Sequence, residues 1–563
     1  MIRTGRFLFS RWDVHALFAF AFQMTATFGV AQDLSFRDVS DNSNIQFQHT
    51  DGSTGKHYLI ESMSAGLALL DFDRDGDLDI YFLNGALIDP DAAAKPTPDN
   101  DALYRNGGDF QFSDATNSAV LTNTAMGLGI ACADYDNDGF VDIYVNNYGP
   151  NLLYHNNGDG TFSDQTLAAG VGNGVLVGGG VSFFDKEMDG DLDLYVANYI
   201  QFDPATHRPH VHKGLPAYPS PLSSKPEPDT LYENNGDGTF TDCSVVSGVR
   251  AVAGRGMGLV TFDYDGDHDI DILVANDTQE NFVFENDGNG IFSEVGLLAG
   301  LAYDFRGKPQ ASMGIELLDF NGDGLQDLCL TSFSEEFVTL YENLGGGLFN
   351  DVTLRSGSAE ATFPHVTWGV VAFDADNDTN MDLLIAAGDL DDRRGERGGS
   401  STSTQFRVSN LLLQGNGKGK FVDQGMSWGT AAAVTESTRG AVANDLNGDG
   451  RVDAVLLNSR ARPTILKNES PGRAWIEIDL VGISCSRSAL GAEITVQQHD
   501  ISQTQHVVSG HSYQSDSSAR VHFGLTNELD PVHVIVRWPG GDIPIEYVLN
   551  PCSLATLVER MSE

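Results

Sequence analysis

Asp71-Phe72-Asp73-Arg74-Asp75-Gly76-Asp77-Leu78-Asp79 runs directly into Ile80-Tyr81-Phe82-Leu83, and the same construction returns six more times. The seven copies start at Asp71, Asp134, Asp185, Asp263, Asp319, Asp374 and Asp445. A glycine stands five residues before each, at Gly66, Gly129, Gly180, Gly258, Gly314, Gly369 and Gly440. Self-similarity at this period is the mark of a solenoid, propeller or array, because each unit buries its apolar face only against its neighbours.

A second motif sets the phase of the repeat. Leu153-Tyr154-His155-Asn156, Leu231-Tyr232-Glu233-Asn234 and Leu340-Tyr341-Glu342-Asn343 are each followed by a glycine-rich turn and then Phe-x-Asp. Turns such as Asn235-Gly236-Asp237-Gly238 between apolar residues predict hairpins, since glycine takes the positive φ they need. Each unit reads as a Phe-x-Asp strand, a strand ending in the glycine, the acidic loop, an apolar strand and a Leu-Tyr-x-Asn strand. Four strands make one propeller blade. Phe36-Arg37-Asp38-Val39 opens unit one, and unit seven ends at Ile465-Leu466-Lys467-Asn468. The fold class predicted is all-β: a seven-bladed β-propeller over residues 32–468, with a small all-β domain over 469–563. Three insertions interrupt the repeat, Asp89 to Asp101, the proline-rich Gln201 to Asp229, and Asp389 to Asn410. Long loops on a rigid scaffold commonly carry binding function.

The acidic loops have the chemistry of a hard cation site. Side chains at positions 1, 3 and 5 converge, the glycine at position 6 permits the sharp turn, a carbonyl near position 7 adds an oxygen, and position 9 closes the cage. Oxygen-only ligation at flexible geometry selects Ca²⁺. The ligands predicted are Asp71, Asp73, Asp75 and Asp79; Asp134, Asp136, Asp138 and Asp142; and Asp185, Glu187, Asp189 and Asp193. The set continues with Asp263, Asp265, Asp267 and Asp271; Asp319, Asn321, Asp323 and Asp327; Asp374, Asp376, Asp378 and Asp382; and Asp445, Asn447, Asp449 and Asp453. Up to seven calcium ions are expected. Carboxylates ~4 Å apart repel by ~4 kcal/mol at an effective dielectric near 20, so a cation among them is required to keep the hairpins closed. His268 and Thr379 replace the turn glycine, which β-branched Thr tolerates poorly, and Glu187 is longer than Asp. Loops four and six, then three, are therefore expected to bind most weakly.

The formal net charge of −46 follows largely from this feature. Odd positions of the seven loops hold 29 of the 79 acidic residues. No stripe of Lys and Arg exists for nucleic acid. At the N-terminus, Arg3, Arg6 and Arg11 precede the apolar Ala16–Phe22, and Gly29-Val30-Ala31 offers small residues for cleavage. This predicts an export signal over 1–31, no transmembrane anchor in the mature chain, and a secreted, periplasmic or cell-surface location, bacterial in character. Cys132 and Cys329 read as small core residues, while Cys485 and Cys552 are candidates for a disulfide in an oxidising compartment.

After Asn468 the acidic loops stop and alternating strands begin, as in Trp475-Ile476-Glu477-Ile478-Asp479-Leu480. The Gly-x-x-x-x-Asp-x-Asp-x-Asp-Gly-x-x-Asp repeat resembles the FG-GAP/VCBS repeats of integrin-α-type propellers. Leu480-Val481-Gly482, Ser484-Cys485-Ser486-Arg487-Ser488-Ala489-Leu490-Gly491-Ala492, His522-Phe523-Gly524-Leu525 and Arg537-Trp538-Pro539-Gly540-Gly541 resemble the ASPIC/UnbV domain. The pairing is similar to the cartilage acidic protein 1 family and its bacterial relatives. That resemblance implies calcium ligands at positions 1, 3, 5 and 9 and supplies no catalytic residue. Cys485 stands where the family usually has Asn.

The chain carries no His-Glu-x-x-His, Gly-x-Ser-x-Gly, Cys-x-x-Cys or Walker loop. His207, His210 and His212 in the second insertion read as a solvated loop. The function expected is a non-enzymatic, exported calcium-binding module for an extracellular or envelope protein or glycan. A lectin or polysaccharide-processing protein and a structural envelope component are the alternatives.

Overall fold

A computed structural model of the 563-residue chain describes residues 34–88, 100–392, 406–541 and 543–560. The expected export signal lies outside these residues, as do most of the first and third insertions. Seven antiparallel four-stranded units form the body of the molecule. Blade 1 comprises Leu67–Leu70, Asp79–Phe82, Ala102–Asn106 and Phe112–Asp114, from innermost to outermost. The innermost strands of blades 2 to 7 are Met126–Ala133, Leu176–Phe184, Gly256–Phe262, Ile315–Leu318, Thr367–Phe373 and Thr438–Asn444. Leu176 and Val177 pair with Gly149 and Tyr148 to join blades 2 and 3 into one eight-stranded sheet, and Gln310–Ala311 adds a fifth strand to blade 4. Each contacts the next, and blade 7 contacts blade 1, so the ring is closed.

Alternation along these strands builds the ring's core. Leu67 and Leu69 face blade 7, while Ala68 and Leu70 face blade 2. With both faces covered, the strand is buried at every position. An apolar cluster fills each space between neighbouring blades.

Two features of the repeat differ from its reading in sequence. Phe-x-Asp forms the outermost strand of the preceding blade, as Asn106 pairing with Phe112 demonstrates. Phe36–Asp38 consequently belongs to blade 7, where Phe36 pairs with Asn468 and fastens the two ends of the ring. The recurrent glycine, moreover, does not end a strand. It sits where innermost backbones meet: a Cβ on Gly129 would lie 2.1 Å from Gly179 O, on Gly314 2.3 Å from Trp368 O, and on Gly440 2.4 Å from Ala65 O. Only a residue without a side chain admits that approach.

The C-terminal region has a three-stranded sheet, Val521–Gly524, Trp475–Val481 and Ser553–Val558, and a four-stranded one, Ile501–His506, Glu493–Gln498, Val532–Arg537 and Ile545–Leu549. It is less separate than its sequence suggests, because its apolar core is continuous with the space between blades 2 and 3. It also sends Gly510–Ser518 into the central channel. There Leu69 N–H donates to Asp516 O (2.9 Å), Ile315 N–H to Ser512 O (3.0 Å), Cys132 N–H to Asp516 Oδ2 (2.9 Å) and Val370 N–H to Ser512 Oγ (3.0 Å). Tyr513, fully buried, donates its hydroxyl to Met63 O at 2.9 Å.

Cys132 and Cys329 are buried in strands, and all five cysteines are free thiols. The Cys485–Cys552 pairing does not form. Trp475–Val481 runs parallel to Ser553–Val558, with Cys552 at the Trp475 end and Cys485 beyond Val481. Six residues of strand hold them on the order of 20 Å apart, whereas a disulfide needs Cα atoms within about 7 Å. Among the described residues, no helix is long and apolar enough to cross a membrane.

Candidate metal centres and the open channel mouth

Each acidic loop links the innermost strand of a blade to its second strand, so all seven lie on one rim. The local chain is organised by its own carboxylates. Asp71 Oδ1 accepts from Asp75 N–H (3.1 Å) and Oδ2 from Gly76 N–H (3.0 Å). Asp134 does the same with Asp138 and Gly139, Asp185 with Asp189 and Gly190, and Asp374 with Asp378 and Thr379. Position 6 takes positive φ throughout, including His268 (79°) and Thr379 (75°). The β-branched Thr379 thus holds a strained backbone. Position 4 is also left-handed, at Arg74 (58°), Asn137 (60°) and Met188 (56°), a second demand the sequence motif does not display.

The position-9 Asp staples two strands. Asp79 Oδ2 accepts from Phe72 N–H (3.2 Å) and Oδ1 from Asn106 N–H (2.7 Å). Equivalent bonds join Asp142 to Tyr135 and Asn156, Asp271 to Tyr264 and Asn286, and Asp453 to Leu446 and Asn468. The Asn of Leu-Tyr-x-Asn was overlooked in sequence as a site residue, although its recurrence beside every loop but the sixth was the available signal. Its side-chain amide bridges adjacent loops: Asn156 Nδ2 donates to Phe72 O (2.8 Å) and Val141 O (3.1 Å), and Asn286 Nδ2 to Lys186 O (2.7 Å) and Ile270 O (3.1 Å).

Carboxylate oxygens converge in Asp71/Asp73/Asp79, Asp134/Asp136/Asp138, Asp185/Glu187/Asp193 and Asp263/Asp265/Asp271, all within 4.8 Å of one another. Asp142 and Asp136 also meet His155. Burial and the neighbouring acids push these groups up: Asp142 to about 7, Asp79 and Asp327 to about 8, Asp271 to about 9. Asp193, Asp382 and Asp453 rise well above the carboxylate range, with burial the largest cause. Such clusters fit a hard divalent cation, which would neutralise them; Asp73 Oδ1, for example, is buried without a hydrogen-bond partner. Asn321 and Asn447 differ, since each turns its amide nitrogen toward an acid, Asp323 or Asp449, at 3.0 Å.

The C-terminal region packs on this rim. Asn137 Oδ1 accepts from Arg487 N–H (2.8 Å), Gln326 Nε2 donates to Thr504 O (2.9 Å), and His522 Nε2 donates to Gly450 O (3.1 Å). Arg473 pairs with Asp376 at 3.3 Å, and Arg520 reaches Gly76 O at 3.3 Å.

The opposite mouth of the channel is different. Residues there lie at or just beyond the ends of the second strands and at or just before the starts of the innermost ones, at the far end from the loops. They enclose a cavity of about 800 Å³ with a floor of Met63, Met257, Met313, Tyr199 and Trp368. Arg439, fully buried, lies 4.1 Å from the Trp368 ring and donates to Ser62 O (3.2 Å) and Asp389 O (3.1 Å). The second insertion forms one wall through His210, His212, Lys213 and Tyr218, the two histidines belonging to the hairpin His210–His212 and Leu215–Ala217. His207 instead packs on Tyr58, with ring centres 4.6 Å apart, and contacts Lys56 O at 3.0 Å.

A closed ring of four-stranded units with repeated acidic hairpin loops on one rim defines a repeat β-propeller. The FG-GAP-like repeat model matches residues 71–145, 134–196, 222–274, 263–330 and 319–385, and the ASPIC and UnbV model matches 482–562. The chain belongs to the FG-GAP-like repeat family and carries a C-terminal ASPIC/UnbV domain. It is homologous to cartilage acidic protein 1, being 24% identical over 506 residues to that of Xenopus tropicalis, 85% of this chain and 71% of the relative. The Homo sapiens protein is likewise 24% identical over 502 residues, covering 85% and 69%. Among solved structures, an Agrocybe aegerita lectin that recognises non-reducing terminal N-acetylglucosamine superimposes at TM-score 0.38 and 17% identity, covering 66% of this chain and 87% of the lectin. An exotype rhamnogalacturonan lyase superimposes at TM-score 0.37 and 12% identity, covering 72% of each chain.

Proposed function

We propose that this chain is an exported, calcium-rigidified binding module without catalytic activity, taking a protein or glycan at the channel mouth opposite the acidic loops. Residues 1–31 are its export signal, 32–468 the ligand-binding propeller and 469–563 a cap. Calcium at the seven loops supplies the positive charge that holds each carboxylate cluster together. The observation that carries this reading is the asymmetry of the two rims. The cap packs on the loop rim and enters the channel, whereas the opposite mouth holds a cavity of about 800 Å³ walled by an insertion. That volume suits a sugar unit or a partner's side chain.

Calcium-dependent capture on a glycan array, or from native extracellular surroundings, tests it. Tyr218→Ala and Lys213→Ala should reduce capture at least about tenfold while the fold is retained. Undiminished capture by both variants would move the ligand elsewhere, and turnover of any polysaccharide would overturn the non-enzymatic reading.

A further inference from the structure

The seven loops differ in a respect their own sequences contain only in part. In blade 1 the third strand supplies Arg105, at the x position of its Leu-Tyr-x-Asn motif. Its Nε lies 2.5 Å from Asp73 Oδ2 and its Nη2 2.8 Å from Asp75 Oδ2. The same position in blade 2 is His155, 3.2 Å from Asp136 and 3.3 Å from Asp142, and the cap adds Arg487, 3.9 Å from Asp134. In blade 7 it is Lys467, 3.9 Å from Asp449, which Arg451 also contacts. Loop three has a cation of its own, because Lys186 pairs with Glu187 and lies 3.7 Å from Asp193. Loop six receives Arg473 from the cap.

Loops four and five stand apart. Among the described residues, no Lys or Arg lies within ion-pair distance of Asp263, Asp265, Asp267, Asp271, Asp319, Asp323 or Asp327; only His268 approaches, 3.5 Å from Asp263. The third-strand positions of these blades are the acids Glu285 and Glu342; blade three has Glu233 there, but 3.6 Å from the cation Lys186. Glu285 accepts the Tyr264 hydroxyl beside loop four and adds to the negative field on Asp265.

We infer that the cation each blade or the cap places on its acidic loop sets calcium occupancy, dividing the ring into self-neutralised loops (one, two, three, six and seven) and open loops (four and five). The inference rests on the calcium reading above and deepens it. A divalent ion entering loop one must separate Arg105 from two carboxylates or share them with it, so its net gain is smaller there. At loops four and five no Lys or Arg pair is broken; in blade four Glu285 adds attraction, whereas Glu342 of blade five is paired with Arg355. This order departs from that expected from the loops alone, in which four is among the weakest. His268 nonetheless adopts the required turn and donates its N–H to Asp263 Oδ2 at 2.9 Å.

The test is a calorimetric calcium titration of the chelator-stripped full chain and of Arg105→Met. The expected result is a tight class of two ions in the parent and of three in the variant, loop one gaining about tenfold in affinity, the scale of two half-exposed ion pairs removed. Glu285→Gln should remove one ion from the tight class or weaken it several-fold. Lys467→Met combined with Arg451→Met, which together free Asp449 of loop seven, provides a second gain-of-site variant should Arg105→Met fail to fold. Seven equal sites in the parent, or tight classes unchanged in both gain-of-site variants, would overturn the inference while leaving calcium binding intact. No calcium uptake by the parent would instead overturn the reading beneath it.

Discussion

The two rims of the propeller are built from the same strands and have opposite characters. At one, every hairpin is a nine-residue loop whose own carboxylates accept from its backbone N–H groups, and the cap packs on the rim while the tips of loops one, four and five stay exposed. At the other, connections vary in length, the largest described one is the proline-rich insertion, and a cavity remains. Regularity belongs to the rim proposed to bind the stabilising metal, and irregularity to the rim proposed for recognition. This is the division expected when a rigid scaffold presents variable loops.

The largest effect that would break this comparison is loss of metal. A ligand bound only to the native state at 100 times its dissociation constant adds about 2.7 kcal/mol per site. Excess EGTA should therefore lower the thermal midpoint by about 10 °C or more, measured by circular dichroism. An unchanged midpoint would leave the loop rim without its proposed stabiliser.

Next in size is the cap's insertion into the channel. Tyr513→Ala removes a fully buried ring that lies 5.2 Å from Trp368, together with its bond to Met63 O. A cost of about 3–5 kcal/mol is expected from urea unfolding. A cost below about 1 kcal/mol would mean that the cap and ring are energetically independent.

A smaller effect concerns pH. Asp101 accepts from Tyr81 Oη, Asn84 N–H and Asn123 Nδ2, and Asp229 from Tyr195 Oη and Asn198 N–H; burial raises both from 3.8 to about 7. The native state keeps protons that the unfolded chain releases near pH 4. Their stabilising contribution is full below that pH and is lost as pH rises through about 7. Asp101→Asn with Asp229→Asn should flatten the stability profile between pH 4 and 7, measured at constant calcium. An unchanged slope would contradict it.

The smallest effect is on the open rim, where Lys213→Ala should change stability by no more than about 0.5 kcal/mol. A larger change in the unfolding midpoint would show that the insertion braces the ring instead of facing a ligand.

The loops were legible because their logic is local. A carboxylate at position 1 reaches the N–H groups four and five residues ahead, as Asp71 reaches Asp75 and Gly76, so seven copies in seven places reveal themselves as one motif. The blade count followed from that repetition, as did the free, buried Cys132 and Cys329. Gly66 was legible as a recurrence but not as a cause. A Cβ there would sit 2.1 Å from Gln514 O, in a segment almost 450 residues away. The partner of Phe36, the occupation of the channel by Gly510–Ser518 and the placing of Arg105 on Asp73 were likewise unreadable.

The sequence by itself determined a seven-fold repeat of four strands, each with an oxygen-rich loop, because hairpin turns and carboxylate caps are decided within ten residues. Only the tertiary structure decided which strand closes the ring, which rim the cap packs on and which loops receive a cation from another strand or from the cap. Those outcomes depend on contacts between residues tens to hundreds of positions apart, and no local pattern encodes which of many similar strands or charged side chains will meet.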